Sequence, residues 1–190
     1  MQALQGALKA GFGVETDVRD LDGRLVVSHD PAKSGSLSFD GFLDAVEDIN
    51  PSAVLALNVK ADGLQQLLLE SLSKYDLPNV LFFDMSFPTQ YVSSKAFKPK
   101  NIATRQSEFE PEPALYSSCG WVWIDCLTRE WIAKEEIERH LKNGKKLCFV
   151  SPELHGRNQK PFWRFLKEMN GPDLFLCTDL PIQARGFFGD

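Results

Sequence analysis

The chain has 190 residues, of which 43% are apolar, 25% charged and 11% aromatic, a composition typical of a folded protein that excludes a disordered or collagen-like chain. Its formal charge of −5 gives no excess of positive charge for gripping a nucleic-acid backbone, so we expect no nucleic-acid partner. A single domain over residues 1–190 is the expectation for this length.

The sequence shows no pattern for export or membrane insertion. Its longest apolar run falls far short of the roughly 20 residues that a membrane-spanning helix needs, and the N-terminus lacks the pattern of a signal peptide. The four cysteines are scattered without CxxC spacing and stand mostly among apolar neighbours, as reduced core thiols do. We therefore predict a cytoplasmic protein without a transmembrane segment, a zinc site or a disulfide framework.

Three predicted elements open the chain. Apolar residues at helical spacing predict a helix over Gln2–Lys9, and Gly11 is a suitable residue to cap its C-terminal end. Residues 13–18 are predicted to form a strand. Asp22 and Gly23 are a turn signal, and residues 25–27 follow as a short extended return.

Helices and strands are predicted to alternate through the rest of the chain. Ser38 can cap a helix that runs to Asp48, and residues 53–59 are nearly continuously apolar, which is typical of a strand buried on both faces. Further strands are predicted at Val80–Phe83, residues 102–104, Trp121–Ile124, residues 147–150 and Leu174–Cys177. Helices are predicted at residues 64–75, after Pro88, and at residues 114–118, 131–142 and 162–169.

This alternation predicts an α/β fold with a parallel sheet. Seven strand candidates with intervening helices fit either a (β/α)8 barrel that lacks one unit or an open, doubly wound sheet. Polar residues follow or end many of these strands, and in a barrel such strand ends share the face on which active sites are built. This arrangement favours a TIM-barrel-like fold that is incomplete or open. The polar strand-end residues are Asp17, Asn58, Lys60, Asp84, Arg105, Asp125 and Asp179.

Glu15 and Asp17 are candidate metal ligands in the first predicted strand. They are two positions apart, so both side chains point to the same face. Two carboxylates that lie close together repel each other, and they need a cation or an extensive hydrogen-bond network if both are to stay ionised. A hard divalent metal ion such as Mg²⁺ or Ca²⁺ is the natural partner. The alternative is a solvated pair, or an ion pair with Arg19 or Arg24.

Several cationic or titratable side chains are candidates for acting on a phosphate. His29 could transfer protons near neutral pH, although a structural or merely exposed histidine is the commoner case. Lys60 could stabilise a developing phosphate oxyanion or simply reach solvent, and the planar fork of Arg105 suits phosphate or carboxylate. Of the other histidines, His140 is predicted to be solvated on a polar helix face, and the role of His155 stays undecided.

The first part of the chain carries a pattern that is more specific than its separate residues. It reads GVETDVR at residues 13–19, DG at residues 22–23 and LVVSHDP at residues 25–31. This pattern resembles the E-x-D…DG…V-x-HD signature of the glycerophosphodiester phosphodiesterase family. Looser matches to the family's E-x-K, S-F and T-D-x-P elements follow at residues 57–60, 85–87 and 178–181.

The resemblance implies a barrel of the phosphatidylinositol-phospholipase-C-like superfamily that cleaves a small-molecule phosphodiester with the help of a metal ion. It implies that His29 is one of a pair of acid/base histidines and that Lys60 lies near the phosphate. The implied ligands of Mg²⁺ or Ca²⁺ are Glu15, Asp17 and Asn58. The candidate substrate-binding residues are Arg105, Asp125 and Asp179.

The sequence departs from the family pattern at two places. No residue before Glu15 matches the His-Arg-Gly strand end that supplies the family's other catalytic histidine. We expect either that the natural protein continues upstream of Met1 or that the barrel is open and a second copy covers its edge, as a homodimer. The family's metal-binding glutamate is Asn58 here, whose amide oxygen can still coordinate either cation at lower affinity.

Two other functions stay open at this point. A catalytically impaired relative would bind a phosphorylated ligand or a protein partner on the same face of the barrel. An unrelated barrel enzyme would use Lys60 as a Schiff-base amine on a carbonyl substrate, and we rank this possibility last.

Overall fold

The computed structural model describes residues 1–169 and 171–189. The chain divides into two compact units, unit 1 (Met1–Ile102) and unit 2 (Ala103–Asp190). The elements of unit 1 are α1 (Gln2–Lys9), β1 (Val14–Leu21), β2 (Arg24–Val27), β3 (Leu37–Ser38), α2 (Phe39–Ile49), β4 (Leu55–Val59), α3 (Gln65–Leu72), β5 (Val80–Phe83) and α4 (Phe87–Ala96). Those of unit 2 are β6 (Ala103–Gln106), β7 (Trp121–Ile124), α5 (Lys134–Lys142), β8 (Lys146–Val150), α6 (Lys160–Met169), β9 (Leu174–Cys177) and α7 (Pro181–Phe188).

Unit 1 is built on a five-stranded sheet with the order β3-β2-β1-β4-β5. β1, β4 and β5 run parallel, whereas β2 and β3 return antiparallel beside β1. All five residues of β4 are buried, which explains its nearly continuous apolar sequence. Ser38 caps α2 by accepting a hydrogen bond from the Gly41 backbone N–H, so the predicted cap is confirmed.

The β1–β2 hairpin is longer than predicted. Leu21 pairs with Arg24, which leaves Asp22 and Gly23 as a two-residue turn with φ values of 51° and 75°. Positive φ at both positions is what the right-handed twist of a tight hairpin requires. The pairing with β2 carries β1 three residues past its predicted end at Val18.

Unit 2 is built on a four-stranded, all-parallel sheet with the order β6-β7-β8-β9. All four residues of β7 are buried, as is expected for a central strand that is covered on both faces. The buried core of this unit joins residues of β7, β8, α5 and α6 with two from the segment between β7 and α5. They are Val122, Ile124, Cys126, Ile132, Ile137, Leu147, Phe149, Phe162 and Leu166.

The predicted α/β class is confirmed, and each of the seven predicted strands is a strand. They do not form one sheet, because three belong to unit 1 and four to unit 2, and strand pairing leaves both sheets open. A closed barrel is therefore not confirmed. A 3-10 turn at Tyr116–Ser118 replaces the short helix predicted at residues 114–118, and neither β3 nor α7 was predicted.

Two predictions about the chain's environment can be compared with the structure. Within the described part of the chain, no helix combines the length and the apolar character that crossing a membrane requires. The four cysteines are free thiols, and Cys119, Cys126 and Cys148 are buried, which confirms that most of them belong to the core. Burial raises the pKa of the Cys126 thiol.

Candidate active site

Polar side chains from three neighbouring strands meet at the carboxyl edge of the unit 1 sheet. The parallel register places Asp17 of β1 beside Asn58 of β4, and Asn58 beside Phe83 at the end of β5. Lys60 is the first residue after β4, and Asp84 is the first residue after β5. Because parallel strands bring their carboxyl ends to one edge, residues far apart in sequence become neighbours here.

We call Asp17, Asn58, Lys60 and Asp84 the acid–lysine cluster. The Lys60 Nζ atom lies 3.4 Å from Asp17 Oδ1 and 3.9 Å from Asp84 Oδ2. The Asn58 Nδ2 group donates a hydrogen bond of 3.3 Å to the same Asp84 oxygen. The Asp17 and Lys60 side chains are 15% and 25% exposed, so their attraction is screened less than that of a surface pair.

Asn58 carries an unsatisfied acceptor in this cluster. The residue is only 7% exposed, and no donor among the described residues reaches its buried Oδ1 atom. A buried polar oxygen without a partner is costly, and such groups are rare in folded proteins. A ligand that presents positive charge or a donor to this oxygen would remove the cost.

Asp84 enters the cluster through an unusual backbone conformation. Its φ is 59°, in the left-handed region that non-glycine residues seldom adopt. Aspartate tolerates this region better than most residues, at a cost of roughly 1 kcal/mol. Backbone strain of this kind is concentrated at functional sites.

Glu15 and His29 flank the acid–lysine cluster. Glu15 is exposed on the face of β1 that also carries Asp17, as the alternation of the strand predicted. Arg19 donates to the His29 carbonyl oxygen at 3.0 Å and to the Lys60 carbonyl oxygen at 3.3 Å, which ties the return of the hairpin to the end of β4. The His29 ring is 78% exposed, and its Nδ1 atom lies 3.2 Å from Asp30 Oδ1.

The start of α4, shortly after Asp84 in the sequence, is held by the carboxylate of Asp62. The Asp62 Oδ1 atom accepts hydrogen bonds from the hydroxyl groups of Thr89 and Ser86, at 2.5 and 2.8 Å. These two hydrogen bonds lower the pKa of Asp62, and the bond from Thr89 has the larger effect. Ser86 also accepts from the Thr89 backbone N–H as the cap of α4, so the segment after β5 is held at several points.

The three predicted substrate-binding residues lie in unit 2 and have different surroundings. Arg105 forms a two-pronged ion pair with Glu110 and lowers the pKa of that carboxyl group. Asp125 Oδ1 lies 2.6 Å from His155 Nε2, at hydrogen-bonding distance. Asp179 is exposed. The structure does not group these three side chains, and their role in binding substrate stays a prediction.

Sequence reasoning missed two polar arrangements of unit 2. One is the pairing of Asp125 with His155, which the sequence could not indicate because the two residues are thirty positions apart. The other is Glu108, whose carboxylate accepts from the backbone N–H groups of Leu127 and Thr128 and from the Thr128 hydroxyl. Burial raises the pKa of Glu108, but these hydrogen bonds outweigh it and bring the pKa to about 2.

The prediction that His140 is solvated is wrong. Its side chain is fully buried, with Tyr116 Oη 2.8 Å from Nδ1 and Gln106 Oε1 2.8 Å from Nε2. Burial lowers the pKa of His140 to about 4, although nearby Glu136 opposes the shift. The charged residues around it on α5 suggested a polar face, but that face packs against β6 and Tyr116.

The donors at the edge of unit 1 suit a hard divalent cation. In residues 1–169 and 171–189, no three histidine, cysteine, aspartate or glutamate side chains lie close enough to form a metal site by themselves. The unsatisfied Asn58 oxygen adds a neutral donor beside the carboxylates of Asp17 and Asp84, with Glu15 on the same face of β1. Carboxylate and amide oxygens are the ligands that Mg²⁺ and Ca²⁺ prefer, so the residues fit such an ion.

Comparison with solved structures identifies the fold. A protein from Galdieria sulphuraria that is assigned to the glycerophosphodiester phosphodiesterases matches with a TM-score of 0.76 and 16% identity, over 100% of this chain and 90% of its own. The glycerophosphodiester phosphodiesterase of Agrobacterium tumefaciens str. C58 matches with a TM-score of 0.65 and 16% identity, over 92% of this chain and 88% of its own. That of Parabacteroides distasonis ATCC 8503 matches with a TM-score of 0.70 and 14% identity, over 98% of this chain and 88% of its own.

These matches cover nearly the whole of each chain, so they extend well beyond the N-terminal pattern. At this level of identity they establish that the fold is similar to that of the glycerophosphodiester phosphodiesterases, which confirms the resemblance at the level of the fold. No protein-family model matches the sequence, and no curated protein is significantly similar to it in sequence.

Proposed function

We propose that this chain, whose fold is similar to that of the glycerophosphodiester phosphodiesterases, is a metal-dependent hydrolase of small-molecule phosphodiesters. The observation that supports the proposal is the acid–lysine cluster at the carboxyl edge of the unit 1 sheet. In α/β folds with parallel strands, this is the edge at which catalytic residues are placed. The cluster combines oxygen ligands for a cation with an ammonium group for a phosphate.

The proposed cation is Mg²⁺ or Ca²⁺, held by Asp17, Glu15 and the unsatisfied Asn58 amide oxygen. A cation at this point supplies electrostatic stabilisation of the phosphoryl oxygens. Asp17 and Asn58 are adjacent in the sheet register, so they would act from two strands whose spacing is fixed by hydrogen bonds. Glu15, which is exposed, would be the most mobile ligand of the three.

Lys60 is proposed to bind the phosphate. Its side chain is 25% exposed and its ammonium group lies 3.4 Å from Asp17 Oδ1, so it can donate to a phosphoryl oxygen where water screens less than at an open surface. The negative charge on that oxygen grows in the transition state, and a fixed donor therefore favours the transition state over the bound substrate.

His29 is proposed to transfer the protons of the reaction. Water adds to phosphorus, the bond between phosphorus and the leaving alcohol oxygen breaks, and one proton passes from the water to that alcohol. The products are a phosphomonoester and an alcohol. The hydrogen bonds from Arg19 fix the His29 backbone, while its exposed ring stays accessible to a substrate.

The proposal can be tested by incubating the chain with a glycerophosphodiester and following phosphomonoester formation by phosphorus NMR. We expect turnover with Mg²⁺ or Ca²⁺, loss of turnover with a chelator, and a rate about 100-fold or more lower for His29→Asn. Lys74→Met, which removes an exposed lysine that pairs with Asp40, is the control and should keep the wild-type rate. Absence of the phosphomonoester with every divalent cation would contradict the proposal.

A catalytically impaired protein that binds a phosphorylated ligand is the second candidate. The observation in its favour is that the His29 ring contacts Asp30 near solvent rather than a member of the acid–lysine cluster. Calorimetry with the same glycerophosphodiester distinguishes the two functions, since this candidate predicts binding in the presence of cation without any product.

A further inference from the structure

Helix α4 has its polar and apolar sides reversed. A surface helix ordinarily buries an apolar stripe and turns its polar face to water. In α4 the large exposed side chains are apolar or aromatic, and the buried ones are polar. Phe87, Tyr91 and Val92 are 58%, 51% and 52% exposed. The buried residues of the helix are Thr89, Gln90 and Ser93.

Polar contacts, rather than apolar burial, fix the buried side of α4. The Thr89 hydroxyl donates to Asp62 Oδ1 at 2.5 Å, and Ser93 Oγ accepts a hydrogen bond of 3.2 Å from the side-chain amide of Gln65, the first residue of α3. These bonds satisfy the buried hydroxyl groups. They also hold the helix in an orientation that leaves its apolar side facing outward.

The exposed side of α4 is continuous and carries lysines as well as apolar groups. Phe87, Tyr91 and Lys95 are four positions apart, so they follow one another along one stripe of the helix. The Lys95 Nζ atom lies 5.4 Å from the centroid of the Tyr91 ring. Lys98 is exposed just beyond the C-terminal end of the helix. We call Phe87, Tyr91, Val92, Lys95 and Lys98 the α4 surface.

The charge of this region differs in sign from that of the whole chain. Residues 85–102 contain three lysines and no aspartate or glutamate, whereas the formal charge of the chain is −5. The Asp62 carboxylate contacts Ser86 and Thr89 at the N-terminal end of α4, and the lysines lie towards and beyond the other end. A partner that fits the α4 surface is therefore apolar where it meets the exposed rings and anionic where it meets the lysines.

The size of the α4 surface argues against a second protein chain as that partner. The helix has 10 residues and is therefore about 15 Å long. One side of so short a helix offers much less than the roughly 800 Å² that each partner buries in a stable protein interface. A lipid bilayer sets no such requirement, because a few apolar and aromatic side chains can enter the headgroup region while lysines are attracted to anionic headgroups.

We propose that the α4 surface docks this chain on an anionic lipid bilayer. Phe87 and Val92 enter the boundary between headgroups and acyl chains, and Tyr91 lies at the level of the headgroups. Lys95 and Lys98 contact the anionic groups of the lipids. The proposal goes beyond the proposed function and does not depend on it, because it concerns where the chain binds and not what it hydrolyses.

The test is flotation of the full chain with vesicles of phosphatidylcholine alone and of phosphatidylcholine mixed with phosphatidylglycerol. We expect binding to the mixed vesicles to be about tenfold tighter or more, and to weaken as salt is added, because salt screens the attraction of the lysines. Lys98→Gln should weaken binding to the mixed vesicles about fivefold. The matched control is Lys134→Gln, which removes an exposed lysine of α5 and should change binding less than about twofold.

An apolar variant tests the other half of the surface. Phe87→Ser should weaken binding to the mixed vesicles about tenfold, because it removes the largest apolar group that enters the bilayer. Its control is Ile182→Ser, which removes a 77% exposed apolar side chain from α7 and should leave binding within about twofold of the wild type. Circular dichroism checks that each variant is folded, and Val92→Ser takes the place of Phe87→Ser if that variant is not.

Three results would overturn the proposal. The first is a wild-type chain that binds neither kind of vesicle at low salt, and the second is wild-type binding by both Phe87→Ser and Lys98→Gln. The third is a dimer in analytical ultracentrifugation that Phe87→Ser dissociates, without vesicle binding by the wild type, which would assign the α4 surface to a second copy of the chain. A glycerophosphodiester in solution can be hydrolysed without any bilayer, so none of these results decides the test of the proposed function.

Discussion

The polar cluster at the edge of unit 1 and the buried polar network of unit 2 use similar residue types for different ends. In unit 2, both ring nitrogens of His140 have partners, and Gln106 donates at 2.8 Å to the Pro111 carbonyl and at 2.7 Å to Glu136. Lys145 donates to the Tyr116 and Cys119 carbonyls. In unit 1, by contrast, the acid–lysine cluster is partly exposed, and the buried Asn58 Oδ1 atom finds no donor among the described residues.

The difference separates a structural network from a binding site. A fully paired, buried network stabilises one arrangement of the core, and there is no group in it that a ligand would satisfy. A cluster with an unsatisfied polar atom at an accessible edge lowers the stability of the folded chain slightly, and a ligand that binds there removes this cost. The consequence is that substitutions in unit 1 should affect function, and substitutions in the unit 2 network should affect stability.

The largest expected effect is on catalysis in unit 1. Lys60→Met should lower kcat for glycerophosphodiester hydrolysis by roughly 100- to 1,000-fold, since a fixed donor to a developing oxyanion is worth that much. The melting temperature should fall moderately, because the variant removes the ammonium group beside the mostly buried Asp17 carboxylate. Steady-state kinetics and thermal melting of the same sample check both statements. A large loss of stability with an unchanged kcat would show that Lys60 has a structural role rather than a catalytic one.

The second effect is on stability in unit 2. His140→Ala should lower the free energy of unfolding by about 3 kcal/mol, because it leaves a cavity and removes one partner of the Tyr116 hydroxyl and one of the Gln106 Oε1 atom. Cation affinity in unit 1 should stay at the wild-type value. Chemical denaturation measures the first and calorimetry the second. Glu138→Ala, on the exposed side of the same helix, is the control and should cost well under 1 kcal/mol.

A pH titration of stability sharpens the same contrast. The pKa of His140 is lowered by burial to about 4 in the folded chain, from an ordinary value of 6.5. As the pH falls from 6.5 towards 4, the unfolded chain therefore takes up a proton that the folded chain does not, and stability decreases, by up to about 3 kcal/mol in total. Glu136 adds a further loss of stability at lower pH, between its ordinary pKa of 4.5 and its lowered pKa of about 2.

Denaturant unfolding at successive pH values checks this expectation. His140→Ala should flatten the decrease between pH 6.5 and 4 and leave the decrease below pH 4.5 in place. An equally steep decrease in the variant would show that other groups cause the loss.

The smallest expected effect concerns Arg105. Its ion pair with Glu110 is about half exposed, so Arg105→Met should cost less than about 1 kcal/mol of stability. Because Glu110 already neutralises the guanidinium, we expect KM for the phosphodiester to change less than twofold. A tenfold rise in KM would instead support the substrate-binding role that the sequence predicted for this residue.

Much of the candidate site could be predicted because it depends on local patterns. Glu15 and Asp17 share a face as a consequence of strand geometry, and the Asp22-Gly23 turn required the return that brings His29 back to β1. The position of Lys60 after a buried strand followed from the apolar run before it. These inferences need only the conformation of a few consecutive residues.

Contacts between distant residues could not be predicted in the same way. The hydrogen bond from Asn58 to Asp84, the contact of Lys60 with both carboxylates and the pairing of His155 with Asp125 depend on register and on side-chain direction. The error on His140 has the same origin, since charged neighbours on a helix do not reveal that Tyr116 and Gln106 cover one of its faces.

The sequence by itself determined the order of the seven parallel strands, the α/β class and the residues at the carboxyl ends of the strands, because hydrophobic periodicity and turn residues act over short distances. The tertiary structure alone decided that the seven parallel strands belong to two open sheets and that Asp84 joins Asp17, Asn58 and Lys60. The physical reason is that sheet register and the left-handed turn at residue 84 are fixed by packing between segments, which no single segment encodes.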